Sequence, residues 1–124
     1  MKKKTAYFAH SMKIYNTQIE TEQFEFIKTR FNGKVICPNK ELGELGDVKA
    51  YIEVVKKCSI LYITEYQKMI GRGVYLECKS AIENNIPILV VRKDVDGVFY
   101  ILEVKDVERT CYSDLVRFGI VKTK

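Results

Sequence analysis

The chain of 124 residues has no tryptophan, two prolines and a single histidine, His10. One histidine leaves few routes to a metal site, and Cys37, Cys58, Cys78 and Cys111 form no C-x-x-C pair. No metal and no cofactor is therefore expected, and the thiols read as reduced, structural side chains in a reducing compartment. No apolar run approaches the roughly 20 residues that cross a bilayer. The opening MKKKTAYFAHSMK is basic, but its apolar part, Thr5 to Ala9, is too short for a secretory signal. The expectation is a cytoplasmic protein with no membrane partner. Internal repeats, linkers and low-complexity stretches are also missing, so residues 1–124 read as a single domain.

What is present is 47% hydrophobic and 30% charged, with a net charge of +5. That balance suits a globular chain with a real core. Lys2, Lys3, Lys4, Lys122 and Lys124 lie at the two ends and supply much of the positive charge. The remaining basic residues are scattered, without a stripe interleaved with aromatics. A preference for small anions fits this pattern better than a nucleic-acid partner.

Periodicity predicts alternating strands and helices. Thr5 to Ala9 is a short apolar strand. Thr17 and Glu20 have capping-box spacing, which predicts a helix from Gln18 with Phe24, Ile27 and Phe31 on its buried stripe, ended by Asn32-Gly33. Lys34 to Cys37 is a second strand stopped by Pro38, and PNKELGELGD reads as a loop. Asp47 is placed to cap a second helix, with Val48, Tyr51, Ile52 and Val55 at helical spacing. Ser59 to Thr64 is a third strand, apolar enough to be covered on both faces.

A loop from Glu65 to Arg72 precedes a third helix whose stripe is Val74, Cys78, Ala81 and Ile82. Asn84-Asn85 ends that helix, and Pro87 to Arg92 forms a fourth strand. Asp96-Gly97 can turn a hairpin or a loop into a last strand within Tyr100 to Val107, and Ser113 is placed to cap a short final helix, SDLVRF. The sum is an α/β fold, a single doubly wound, mainly parallel sheet of about five strands flanked by helices, Rossmann-like or flavodoxin-like. In such sheets ligands bind beyond the carboxyl ends of the strands. That rule selects His10 to Lys13 after the first strand and Glu65 to Gly73 after the third.

Within the second place, Gly71-Arg72-Gly73 opens the third helix, where free backbone N–H groups attract anions. It has neither the P-loop spacing nor a third glycine, Leu76 standing in that place. Glu77 follows four residues after Gly73. It either complements the helix dipole, which favours its ionised form, or serves as a positioned carboxylate able to attack an anomeric carbon. Ser11 and Lys13 either hold a phosphate or satisfy a turn and solvent. His10 is either a ligand contact or structural.

Taken together, YFAHSMK, KVICP, KKCSILYITEY, GRGVYLECKSA and NNIPILVVR resemble the nucleoside 2-deoxyribosyltransferase superfamily. They are most similar to the small 2′-deoxynucleoside 5′-phosphate N-hydrolase-like proteins. The resemblance spans Thr5 to Arg92. It implies that Ser11-Met12-Lys13 occupies the sugar- and phosphate-binding turn, with Lys13 where the family has arginine. It also implies that Gly73, Glu77, Ala81 and Ile86-Pro87-Ile88 match the nucleophile motif, and that the ligand is a nucleoside or nucleotide. By the same resemblance Glu77 is catalytic and a homodimer is expected. Placement at the strand ends then gives the substrate-binding expectation: Ser11, Lys13, Gly71, Arg72 and Gly73 hold sugar hydroxyls and any 5′-phosphate, and Tyr7, His10 and Met12 line the base or sugar pocket. Three further positions depart from the pattern. Lys79 and His10 stand where glycines are usual, and Tyr51 stands near a usual aspartate. These departures leave two readings, an N-glycosidic hydrolase or transferase and a non-catalytic nucleotide binder.

Overall fold

A computed structural model describes residues 4–42, 48–111 and 117–123. β1 (Thr5–Ala9) is buried on both faces, and its side chains alternate between two apolar layers. Beside it run β2 (Lys34–Ile36) and β3 (Ile60–Thr64), both parallel to β1, and β5 (Ile88–Lys93) lies parallel to β3. β6 (Phe99–Cys111) pairs antiparallel with β5, β7 (Arg117–Thr123) with β6, and the two-residue β4 (Ile70–Gly71) with β7. The order is β2-β1-β3-β5-β6-β7-β4, which is one mixed sheet. The chain is thus α/β, with six strands besides β4.

Among the described residues four helices flank the sheet: α1 (Gln18–Arg30), α2 (Pro38–Glu41), α3 (Val48–Val55) and α4 (Arg72–Glu83). Ile27 of α1 is buried with Ala6, Phe8, Val35, Tyr62 and Val91 in one layer. Val55 of α3 and Val74, Cys78 and Ala81 of α4 are buried with Tyr7, Leu61, Ile63 and Val90 in the other. Each of these apolar stripes removes surface from water at roughly 25 cal/mol per Å². Cys37, Cys58 and Cys78 are free and buried, acting as small core residues. No helix among the described residues is long and apolar enough to cross a membrane.

Local details depart from the sequence reading in five places. PNKE forms the one-turn helix α2, because Pro38 is pre-set for a first helical position. The segment from Glu65 to Arg72 contains a tight hairpin. Tyr66 and Met69 exchange backbone hydrogen bonds of 2.8 and 3.1 Å, with Gln67 at φ 54° and Lys68 at φ 66°. Two adjacent left-handed residues are the signature of a type I′ turn, made here without glycine. Gly33 is not a left-handed helix cap, since the cap is Phe31 in an extended conformation. β6 is longer than the expected Tyr100 to Val107, and the hairpin reading of Asp96-Gly97 holds, with Gly97 at φ 82°. Residues 117 and 118, expected at the end of a final helix, belong to β7, where pairing to β6 overrides the local pattern, and residues 113–116 of that expected helix lie outside the described residues. The proposed caps Asp47 and Ser113 lie outside the described residues.

Gly33 is required by close approach. Its φ is 153°, and a Cβ there would sit 2.5 Å from the Lys4 carbonyl oxygen and 2.9 Å from the Phe31 ring. At Gly97 the added Cβ meets nothing within 4 Å among the described residues. Gly33→Ala is expected to cost about 2–3 kcal/mol in urea unfolding, and Gly97→Ala about 1 kcal/mol. Equal costs would mean that backbone conformation alone, and not the contact with Lys4, makes Gly33 necessary.

Candidate functional site

The parallel half of the sheet fixes where loops converge. β2 lies on one side of β1 and β3 on the other, so the connections reverse direction between β1 and β3. A crevice beyond the carboxyl ends of the strands forms at such a reversal. Ala9 is in register with Ile63, so the segment after β1 and the segment after β3 leave the sheet at the same edge. The Lys13 ammonium lies 5.9 Å from the centroid of the Tyr66 ring and joins the two segments.

In the segment after β1, the Ser11 hydroxyl accepts a hydrogen bond of 3.1 Å from the Lys13 backbone N–H. It caps the short 3-10 turn Met12–Ile14, so the turn-forming reading of Ser11 is met, and its own O–H stays free to donate. Met12 is 77% exposed, unusual for a large apolar side chain. Lys13 is exposed as well.

On the other side, Gly71 caps α4 with φ −80° and ψ 175°, a conformation open to any residue. Among the described residues, a Cβ at Gly71 or Gly73 would meet nothing within 4 Å. Neither backbone strain nor packing demands these glycines. Arg72 between them is exposed.

Glu77 is the sixth residue of α4, past the first turn, so it is not an ordinary dipole-complementing acid. It is buried on the helix face that carries Val74, Cys78 and Ala81. Burial pushes its carboxyl up to about 7, and the Tyr7 hydroxyl acts in the opposite direction. The sequence-based expectation of a carboxylate kept ionised by the helix start is therefore corrected. Desolvation dominates at this depth, because the dipole effect fades after the first turn.

Tyr7 completes the pair from β1. Its phenol is held far above its ordinary value by burial and then by the negative charge of Glu77. The hydroxyl has no hydrogen-bond partner of good distance and angle among the described residues. Its contact with Glu77 is therefore electrostatic, longer or more bent than a good hydrogen bond. Tyr15 is pushed up to about 12 by burial, then by Glu77 and Tyr51. Three tyrosines and one carboxyl thus share a neighbourhood.

His10 lies elsewhere. Alternation along β1 sends Tyr7 toward α3 and α4 and His10 toward α1. There Nε2 of His10 is 2.6 Å from Oε2 of Glu20, with both side chains fully buried. Nδ1 donates to the Phe8 carbonyl at 3.0 Å, and the imidazole stacks on the Phe8 ring at a centroid separation of 3.9 Å. Since Nδ1 must carry its proton, a second proton lies between Nε2 and Oε2. Burial opposes ionisation of Glu20, but the His10 bond and the Asn16 backbone N–H outweigh it and hold the carboxyl below its ordinary value.

Capping-box spacing found Glu20 and misread its partners. Its carboxylate reaches the Asn16 N–H and His10, while Thr17 caps the Glu20 N–H at 3.3 Å. The usable signal was a histidine at the end of a buried strand, which needs a partner. Sequence reasoning also missed the fork in which Arg92 donates to Glu65 at 2.7 and 3.1 Å, tying the ends of β3 and β5. A cleft of about 680 Å³ lies beside this fork, bordered by Ile19, Gln23, Lys68 and Tyr100; it takes Glu65 and Lys68 from the segment after β3 but none of the catalytic or substrate-binding residues expected from the sequence.

The chain matches no protein-family model and no curated protein. The site is therefore read from its own chemistry.

The raised carboxyl of Glu77 carries a stability signature. Its folded-state value of about 7 lies above the ordinary 4.5, so the folded state holds the proton more tightly. The associated stability is fully present below 4.5 and is lost as pH rises through about 7. Glu77→Gln, neutral at every pH, lacks this dependence. Between pH 5 and 8 the wild type is expected to lose up to about 3 kcal/mol relative to Glu77→Gln in thermal unfolding. Parallel pH curves for the two proteins would show that Glu77 is not desolvated.

Proposed function

We propose that the chain binds a nucleoside or nucleotide and cleaves or transfers its N-glycosidic bond through Glu77. The observation that carries this reading is a buried carboxyl beside a buried phenol, one helical turn behind a glycine-flanked helix start. In this mechanism an ionised Glu77 oxygen bonds to C1′ as the C1′–N bond breaks through an oxocarbenium-like transition state. The base leaves with the bonding electron pair and takes a proton from solvent. Water or another base then releases the sugar from Glu77. Ser11, Lys13 and the N–H groups opened by Gly71 and Gly73 hold sugar hydroxyls and any 5′-phosphate, and Tyr7 holds the carboxylate in place.

The same reading includes a doubly wound, flavodoxin-like arrangement, a cytoplasmic location and a homodimer, with no cofactor. Lys79 is exposed, on the solvent side of α4 and away from the buried carboxyl. It therefore weighs less against chemistry than its place in the sequence suggests.

A second reading, a non-catalytic nucleotide binder, is favoured by one specific feature. The ionisable group that acts on Glu77 is Tyr7, and the neighbours that act on Tyr7 besides Glu77 are Tyr15 and Tyr51. No second carboxyl stands among them to protonate a departing base.

A panel of deoxynucleosides and their 5′-phosphates separates the readings. Catalysis predicts free base from at least one of them, a rate that rises with pH through about 7, and no release by Glu77→Gln. Saturable thermal stabilisation without free base points to the binder, and neither response from any compound removes both. Gly73→Ala is expected to gain about 0.5–1 kcal/mol of stability from helix propensity while weakening nucleotide binding at least tenfold. Unchanged affinity in that variant would remove the helix start from the site.

A further inference from the structure

We propose a zinc-type divalent metal site formed by His10, Glu20 and Cys37. These residues come from the end of β1, the first turn of α1 and the end of β2, and their ligand atoms all lie within 4.8 Å of one another. All three are buried, at 4%, 0% and 0% exposure. An imidazole, a carboxylate and a thiolate form a mixed N, O and S donor set, the kind that zinc takes in tetrahedral sites. With bonds of about 2.0–2.3 Å, tetrahedral ligands stand roughly 3.3–3.7 Å apart, so modest side-chain shifts bring this triad into range.

The supporting contacts are already in place. Nδ1–H of His10 donates to the Phe8 carbonyl at 3.0 Å, which turns Nε2 toward Glu20 and Cys37. A backbone carbonyl on the distal nitrogen is the usual way a metal-binding histidine is oriented. Oε1 of Glu20 accepts the Asn16 N–H at 3.0 Å, which fixes the carboxylate and leaves Oε2 for the metal. The Cys37 thiol donates to Oδ1 of Asn39 at 3.3 Å, a weak bond to give up.

Charge and protons balance. A divalent ion displaces the proton between Nε2 and Oε2 and the proton on Cys37, leaving neutral imidazole, carboxylate and thiolate. Two positive charges arrive and two leave, so the buried cluster keeps its net charge. Lys40, with Nζ 3.8 Å from Oε1 of Glu20, remains at its rim. Such an ion would join β1, β2 and α1 at one point and fix the turn that bears Ser11 and Lys13. The proposal does not depend on the nucleotide reading.

The test uses the full chain stripped with a chelator and titrated with Zn²⁺ by calorimetry in two buffers of different ionisation enthalpy. One ion per chain is expected, with release of about two protons and a rise in Tm. Cys37→Ser and His10→Ala should bind at least tenfold more weakly, whereas Cys58→Ser, a buried thiol outside the triad, should bind as the wild type does. Because the two variants can fail by losing the fold, Co²⁺ is added to the wild type as an independent readout. Thiolate-to-cobalt charge-transfer absorption supports the site. Its absence, or no Zn²⁺ binding at micromolar concentration, overturns the proposal.

Discussion

Burial of β1 on both faces is the constraint from which the polar architecture follows. A strand covered on both sides has no solvent face, so each side chain must satisfy itself within a layer. Ala6 and Phe8 fill one layer, and Tyr7 and Ala9 fill the other. The two polar side chains that β1 and the residue after it send into these layers, Tyr7 and His10, are thereby forced apart by the two-residue period of the strand. One meets Glu77 of α4 and the other meets Glu20 of α1. A one-residue slip of β1 would exchange the layers and leave both acids without their partners.

The two buried carboxyls meet the cost of desolvation in opposite ways. Glu20 is compensated by an imidazole, a backbone N–H and a nearby ammonium, and it stays on the ionised side of its ordinary range. Against the burial of Glu77 stands the Tyr7 phenol, which does not outweigh it, and the carboxyl is pushed up to about 7. Fully compensated groups rigidify a core, while an under-compensated one stores reactivity. By that measure Glu20 belongs to the framework and Glu77 to a site. The glycines at the start of α4, needed neither for conformation nor for contact among the described residues, point the same way.

Legibility in the sequence followed the range of the interactions. β1, β3, α1 and α4 were readable because their patterns are local. Apolar runs, the Thr17 cap and the stripe of Val74, Cys78 and Ala81 depend on neighbours a few residues away, although Ile82, expected on that stripe, is exposed. The end of the expected final helix departs from the structure because residues 117 and 118 take their state from β6, far from any local signal. The hairpin at Gln67-Lys68 was missed because its left-handed turn is built without the glycine or asparagine that announces one. Glu77 could be singled out by its distance from Gly73. Its titration could not, since burial is a property of the packed layers. His10, Glu20 and Cys37 gave no metal-binding spacing because three separate elements bring them together.

The two polar clusters are also connected through the turn after β1. His10 anchors the start of that turn in the α1 layer, and Ser11 caps it before Lys13 extends toward Tyr66. Anything that tightens the His10–Glu20 contact therefore reduces the freedom of the groups assigned to phosphate, without touching Glu77. On the proposed function, ligand affinity and carboxyl reactivity would be set on opposite faces of one strand. Sequence change on the α1 face can tune binding while the Tyr7–Glu77 pair is left intact. Loss of turnover with retention of binding needs only the Glu77 face to change, which is why the hydrolase and binder readings can share one fold.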